Sequence, residues 1–321
     1  MRVAITGGTG FVGSHLAERL ASPNTVVVSR RTGVAIDDVE ALTAAFEGVD
    51  AVAHCAGINR EIGGQTFEKV HVEGTKAVLE AARRAGVKRI VMLSFLRARP
   101  DCGSGYHETK WAAEELVRAS GLDYTIIKAG MIYGQGDHMV DHVTKAVRTW
   151  PIFATVGFRE RTVSPVPVQE AVSVLIAALH GRLPDATVAL LGAEELELGT
   201  AVRRIARVAD RKPLFVPVPV WTIRALAQLT EWLMVVPLVA KAQARMLDEG
   251  VSDPAPYASA LPQDLKPKLP FTEDRIRAAL PEGKFGLKDL RVVNSWHAKG
   301  RRTQGASGPL PTLDDSSRGP R

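Results

Sequence analysis

Arg2-Val-Ala-Ile-Thr-Gly-Gly-Thr-Gly-Phe-Val-Gly13 joins a short strand-forming run to a glycine-rich turn, and a helical pattern continues from Gly10 to Leu20. Gly7, Gly10 and Gly13 recur at every third position, and Gly8 to Gly13 also satisfies Gly-x-Gly-x-x-Gly. The spacing has a mechanical meaning. The first glycine permits the tight strand-to-helix turn, the middle one lets backbone approach a pyrophosphate, and the last allows helix to pack closely on strand. Phosphate then meets a helix N-terminus, where free N–H groups and the macrodipole favour an anion. The stretch therefore predicts a dinucleotide-binding turn, with Gly7, Thr9, Gly10, Phe11, Val12 and Gly13 around the phosphates.

Outward from the turn, strand-like runs alternate with helical ones. Val3 to Thr6, Thr25 to Ser29, Ala51 to His54, Arg89 to Leu93 and Tyr124 to Lys128 read as strands; Asp38 to Phe46, Phe67 to Arg84 and Tyr106 to Ala119 read as helices between them. Such alternation demands parallel strands with right-handed crossovers. The expected fold class is α/β: a Rossmann-type, doubly wound parallel sheet with helices on both faces and a smaller C-terminal α/β region. The expected divisions are 1–134 for the dinucleotide domain, 135–293 for a substrate region interleaved with it, and 294–321 for a disordered tail. Prolines at 151, 165, 167, 213, 217 and 219 mark the change of rhythm. Within the second region Val168 to Leu179 and Leu198 to Ala209 read as helices and Thr187 to Leu191 as a strand. From Trp221 to Val236 the pattern is helical with an unusually wide apolar face, which reads first as core and second as a membrane-surface or lipid-substrate element.

At the end of the second strand a carboxylate would bind the ribose 2′-hydroxyl of NAD and repel the 2′-phosphate of NADP. This chain has Ser29-Arg30-Arg31 there, with no acid. Two guanidinium groups and a hydroxyl suit a phosphate dianion, so NADP(H) is expected over NAD(H).

Composition narrows the setting. Of 321 residues, 45% are hydrophobic and 24% charged, the balance of a soluble globular chain. Cys55 and Cys102 are the only cysteines and lie in no metal or redox spacing, which reads as reduced and cytoplasmic. No secretory leader pattern and no run of about 18 uncharged apolar residues occurs. The net charge is +6, but Lys299 to Arg321 contributes five basic and two acidic residues in a Gly/Ser/Pro-rich stretch. With no interleaved aromatics or recognition motif, a nucleic-acid partner is not expected. Asp137, His138, Asp141 and His142 read as a loop rather than a metal cluster.

With the turn in place, further segments resemble the extended or atypical short-chain dehydrogenase/reductase superfamily, especially the branch of the 39-kDa-type accessory subunit of respiratory complex I. The resemblance covers about residues 1 to 250. It rests on Ala53-His-Cys-Ala-Gly57, Val70-His-Val-Glu-Gly-Thr75, Leu79 to Ser94, and Lys128-Ala-Gly-Met-Ile-Tyr-Gly134. It implies that Cys55, Ala56 and Gly57 pack under the adenosine and that residues 128–134 meet the nicotinamide. Where relatives supply an aspartate to the adenine, this chain has Ala35, Ile36 and Asp37, so contact through Ile36 would be apolar or through backbone.

Tyr106-His-Glu-Thr-Lys110 places a phenol and an ammonium one turn apart on the same helix face. Such proximity favours the phenolate. By resemblance, Tyr106 exchanges a proton with a carbonyl or alcohol and Lys110 binds the nicotinamide ribose. A third hydroxyl is expected to hold the substrate oxygen, from Ser94 at the strand end or Ser104 just before the tyrosine; relatives carry it where this chain has Phe95 and Leu96. The expected function is hydride transfer on a small, apolar substrate, or epimerase/dehydratase chemistry. The alternative is a non-catalytic NADPH-binding accessory subunit or redox sensor, peripheral at a membrane or within a complex.

Overall fold

The computed structural model describes residues 1–21, 23–156, 161–219, 221–222 and 257–281. β1 (Val3–Thr6) is buried at every position and runs parallel to both β2 (Thr25–Val28) and β3 (Ala51–His54), with Val3 opposite Thr25 on one side and Ala51 on the other. β4 (Arg89–Phe95) and β5 (Asp123–Ala129) extend the sheet, again in parallel. Side chains alternate between its faces. Val3, Ile5, Ala53, Val91 and Ile127 pack beneath α1 (Phe11–Leu20), whereas Ala4, Val52, Ile90, Met92 and Ile126 pack beneath α2 (Val39–Ala45), α3 (Gly74–Arg84) and α4 (Gly105–Arg118). Burial on both faces explains why these strands are almost wholly apolar.

The second half of the chain returns to this sheet. After β6 (Ile132–Tyr133), α5 (His138–Thr149), β7 (Ile152–Val156), β8 (Thr162–Val163) and β9 (Val166–Pro167), α6 (Val168–Leu179) packs on α1. β10 (Ala186–Leu190) then pairs in parallel with β5, so the strand near Thr187 lies in the main sheet rather than in a separate layer. β11 (Leu196–Glu197), α7 (Leu198–Val208) and β12 (Leu214–Val218) follow. β13 (Ser259–Ala260) adds a seventh strand to the sheet, and α8 (Glu273–Ala279) comes last. The order β13-β10-β5-β4-β3-β1-β2 reverses direction at β1, which puts the crevice for a ligand outside the carboxyl ends of β1 and β3. A third core gathers α5, α7 and α8 around Tyr133 and Phe271.

One helix departs from expectation. Phe67 to Arg84 is not a single α-helix, because Glu68–Glu73 forms a π-helical turn before α3. The wider turn holds three consecutive residues, Val70, His71 and Val72, in the interior. The run from Trp221 to Val236 lies outside the described residues beyond Thr222, and so does the expected tail at 294–321.

Candidate active site

The glycine turn is closed to any other residue type. Gly7 sits at φ +68, and a Cβ there would stand 2.7 Å from the Ala56 backbone. One at Gly13 would collide with the Gly7 carbonyl oxygen, and one at Gly8 would stand 2.9 Å from that of Ile5. Gly10 caps α1 with no side chain, its N–H donates to Gly7 O at 2.8 Å, and the first turn carries no acid. The N–H groups of Phe11, Val12 and Gly13 thus face the crevice with nothing negative among their own neighbours. This is a backbone cradle that fits a pyrophosphate. Gly134 leans over it, its missing Cβ leaving room for Val168 and the Phe11 ring.

Beside the cradle, Ser29 and Thr32 form a reciprocal capping box that fixes a 3-10 turn at Arg30–Thr32. Arg30 and Arg31 are exposed on that turn and pair with no acid among the described residues. Ile36 lies against Gly74, where a Cβ would come within 3.0 Å of it.

At the end of β3, His54 ties the cradle strand to α3. The Thr75 hydroxyl donates to His71 O at 2.5 Å, so it can only accept from His54 Nε2, 3.0 Å away. His54 Nδ1 then accepts from the Thr6 hydroxyl at 2.7 Å. Burial holds this imidazole neutral, pushing its pKa down to about 3. Cys55, half-buried, is also held as a thiol, raised to about 12 by desolvation. Gly57 leaves the space that the Lys110 ammonium fills, since a Cβ there would be 2.9 Å from Nζ.

On α4 the pair comes together as spaced. Lys110 is buried, with Nζ 3.4 Å from Leu93 O, and burial lowers its pKa to about 8 despite the neighbouring Glu114. Tyr106 is ringed by Phe67, His71, Phe95 and His107, with ring centroids 5.3 to 5.7 Å from its own. That apolar packing pushes the phenol above its ordinary range. Burial alone sets this direction, against the phenolate that the ammonium was expected to favour, and the phenol is protonated.

Both candidate third hydroxyls are engaged. Ser94 shares the strand face of Ile90 and Met92 and so points under α4, donating to Glu114 Oε1 at 2.5 Å. Glu114 is fully buried, and its carboxylate is matched by Lys128 at 2.8 Å and Arg118 at 3.0 Å. Ser104 Oγ lies 2.7 Å from His107 Nδ1. Phe95 and Leu96 follow in the core.

Sequence reasoning passed over His71. The Thr109 hydroxyl donates to Gly105 O at 2.6 Å and lies 3.0 Å from His71 Nδ1, while His71 Nε2 lies 3.0 Å from Ile58 O and 3.2 Å from Ile58 N. His71 is thus a neutral link between α4 and the Gly57 loop, its pKa lowered to about 2 chiefly by burial. A polar residue between Val70 and Val72, one turn before Gly74, was the available signal. The Asp137 carboxylate caps α5 through Met139 and Val140 N–H and also accepts from Gly134 N–H. Among the described residues no group of three or more His, Cys, Asp or Glu could hold a metal.

Residues 30–149 match the NAD(P)H-binding family. The chain is 31% identical over 191 residues to a ceramide reductase of Caulobacter vibrioides, covering 54% of this chain and 60% of that one. It is 28% identical over 229 residues to a 3β-hydroxysteroid dehydrogenase/Δ5→4-isomerase of Mycobacterium tuberculosis, covering 58% and 62%. The chain thus spans about three fifths of the length of either relative. Among solved structures, a UDP-glucose 4-epimerase from Thermotoga maritima superposes with a TM-score of 0.63 at 17% identity, over 87% of this chain and 97% of that one. The likeness to the complex I 39-kDa-type branch stays a resemblance of sequence. Through its glycine cradle, its sheet and these matches, the chain carries an NAD(P)H-binding domain and is similar to reductases, dehydrogenases and epimerases built on the same fold.

Proposed function

We propose that the protein is an NADP(H)-dependent oxidoreductase that reduces a carbonyl, or oxidises the matching alcohol, on a small apolar substrate. The observation that carries this reading is the pairing of a protonated Tyr106 with Lys110 one helical turn away, the lysine resting on Gly57 beside the cradle. Gly7, Thr9, Gly10, Phe11, Val12 and Gly13 would hold the pyrophosphate, and Arg30 and Arg31 a 2′-phosphate. Cys55, Ala56 and Ile36 would line the adenosine side. The bound nicotinamide supplies or accepts the hydride. Tyr106 gives its phenolic proton to the carbonyl oxygen as negative charge develops there, and Lys110, cationic below about pH 8, holds the ribose and favours the resulting phenolate.

Apolar substrate chemistry is supported by the walls. Phe95, Met131, Met139, Phe153 and Phe215 belong to the same cluster as Tyr106. The two relatives are named for a ceramide and a 3β-hydroxysteroid, both lipids. A substrate of that kind would place the protein at the face of a membrane rather than through it; among the described residues no helix is long and apolar enough to cross one. The test is NADPH oxidation, followed by absorbance, against a panel of long-chain ketones and ketosteroids. Turnover that Tyr106→Phe abolishes supports the reading; no turnover with any substrate, or turnover untouched by Tyr106→Phe, refutes it.

A second reading has its own observation. With Ser94 bound to Glu114 and Ser104 to His107, both hydroxyls expected to hold a substrate oxygen are already engaged. That suits a binding-only NADPH protein, an accessory subunit or redox sensor, for which the same assay gives tight cofactor binding and no turnover.

A further inference from the structure

The ribbon formed by β7 and β12 is apolar on both faces but for Thr155. Its register sets Phe153 opposite Phe215, with ring centroids 5.9 Å apart, and both pack into the cluster that contains Tyr106. The alternate positions point away from that cluster. Ile152 lies opposite Leu214 and Ala154 opposite Val216, and Ile152, Leu214 and Val216 are 56%, 64% and 36% exposed. A ribbon with one face in water carries polar residues on that face. This one ends instead in tryptophans, Trp150 before β7 at 53% exposure and Trp221 after β12 at 71%.

The residues that lead into the two strands carry an excess of positive charge, with Asp141 and Asp210 just before them. His142 to Val156 and Arg211 to Thr222 contain Lys145, Arg148, Arg211 and Lys212 and no aspartate or glutamate. Lys145 is held by Asp141 and Arg148 donates to Pro281 O. Arg211 and Lys212 are exposed at the Leu214 end and make no ion pair with a described residue. Exposed aliphatic side chains, tryptophans at both ends and exposed cations beside them match the interfacial layer of a bilayer with anionic headgroups.

We propose that the outer face of the β7–β12 ribbon docks the protein on an anionic lipid surface, bringing the Phe153–Phe215 face of the same ribbon to the point where an apolar substrate leaves the bilayer. This rests on the reading of a lipid-like substrate and names the surface that would take it up. Trp150, Ile152, Leu214, Val216 and Trp221 enter the headgroup layer while Arg211 and Lys212 meet phosphates.

The experiment is flotation of the full chain with phosphatidylcholine vesicles, with and without phosphatidylglycerol. The expected result is recovery with the anionic vesicles, weakened at least about tenfold by Leu214→Glu and by Arg211→Ser with Lys212→Ser. NADPH titration confirms that each variant is folded, since none of these residues lines the cradle. Should Leu214→Glu lose the cofactor, Trp221→Ser, at a highly exposed position, carries the test. Absence from anionic vesicles overturns the proposal, as does flotation insensitive to all these changes, or a soluble dimer that Leu214→Glu dissociates. Tyr106→Phe should float like the wild type. Loss of turnover without loss of flotation therefore refutes the enzyme reading alone, and loss of flotation with turnover of dispersed substrate refutes the docking surface alone.

Discussion

The glycine turn and the neighbourhood of Tyr106 both follow sequence motifs, yet they constrain function to different degrees. At the turn, backbone meets backbone: Gly7, Gly8 and Gly13 stand where any Cβ would come within 3.0 Å of main-chain atoms, so the motif and the geometry are one statement. Around Tyr106 the motif fixes two side chains on one helix face, but what they do depends on groups brought from β4, the π-turn and the second region. There, burial reverses the sign of the effect expected on the phenol, and the hydroxyl expected at the substrate turns to Glu114. A site built of backbone is legible in local sequence. A site built of side chains from distant segments is legible only in its members.

The largest effect should come from the turn. Gly13→Ala is expected to weaken NADPH at least about a hundredfold in a fluorescence titration, because neither partner of the clash is a flexible side chain. Gly121→Ala is the comparison: at φ +76 with nothing within 4 Å of its Cβ, it should cost about 1 kcal/mol of stability and leave cofactor affinity alone. Equal effects of the two would break the distinction between a cradle and an ordinary turn. Next, Tyr106→Phe should lower turnover by about 10² to 10⁴ while NADPH affinity holds.

Ser94→Ala sharpens the other side. The hydroxyl serves a buried carboxylate that keeps Lys128 and Arg118, so the expected loss is about 1.5 to 3 kcal/mol of stability with kcat within about threefold. A fall in kcat as large as that of Tyr106→Phe, with the melting temperature unmoved, would return Ser94 to the substrate. The smallest effect is one of pH. Lys110 loses its proton near pH 8, so NADPH affinity should decline about fivefold as pH rises through that value and stay flat in Lys110→Met. The sign on stability is opposite. A lysine whose pKa is lowered in the folded state binds fewer protons there than when unfolded between about pH 8 and its ordinary value, so this group makes the fold more stable with rising pH. Weaker binding at pH 9 is thus not unfolding.

Much of the fold could be read from period and punctuation. β1 and β3 stand where their apolar runs put them, and α6 runs from Val168 to Leu179 as its pattern suggests. β10 was legible as a strand, but not its partner: pairing of Ala186–Leu190 with β5 joins residues some sixty positions apart through a crossover that no local pattern encodes. The π-turn escaped because the helical period of its flanks runs through it. In the site, Tyr106 and Lys110 were legible because one helix holds both. His71 and the Glu114–Lys128 pair were not, since their partners lie on other elements and the reason for their polarity appears only when those elements meet.

The central claim is that the cradle at Gly7 to Gly13, with Arg30 and Arg31 beside it, holds NADP(H). The direct measurement is a titration of the full chain with NADPH and with NADH at low salt and pH 7. NADPH is expected to bind at least about tenfold tighter, with Arg30→Ala and Arg31→Ala together erasing the difference by weakening NADPH alone. Equal affinity for the two cofactors in the wild type would contradict the assignment of the arginines, and no measurable affinity for either would contradict the cradle itself.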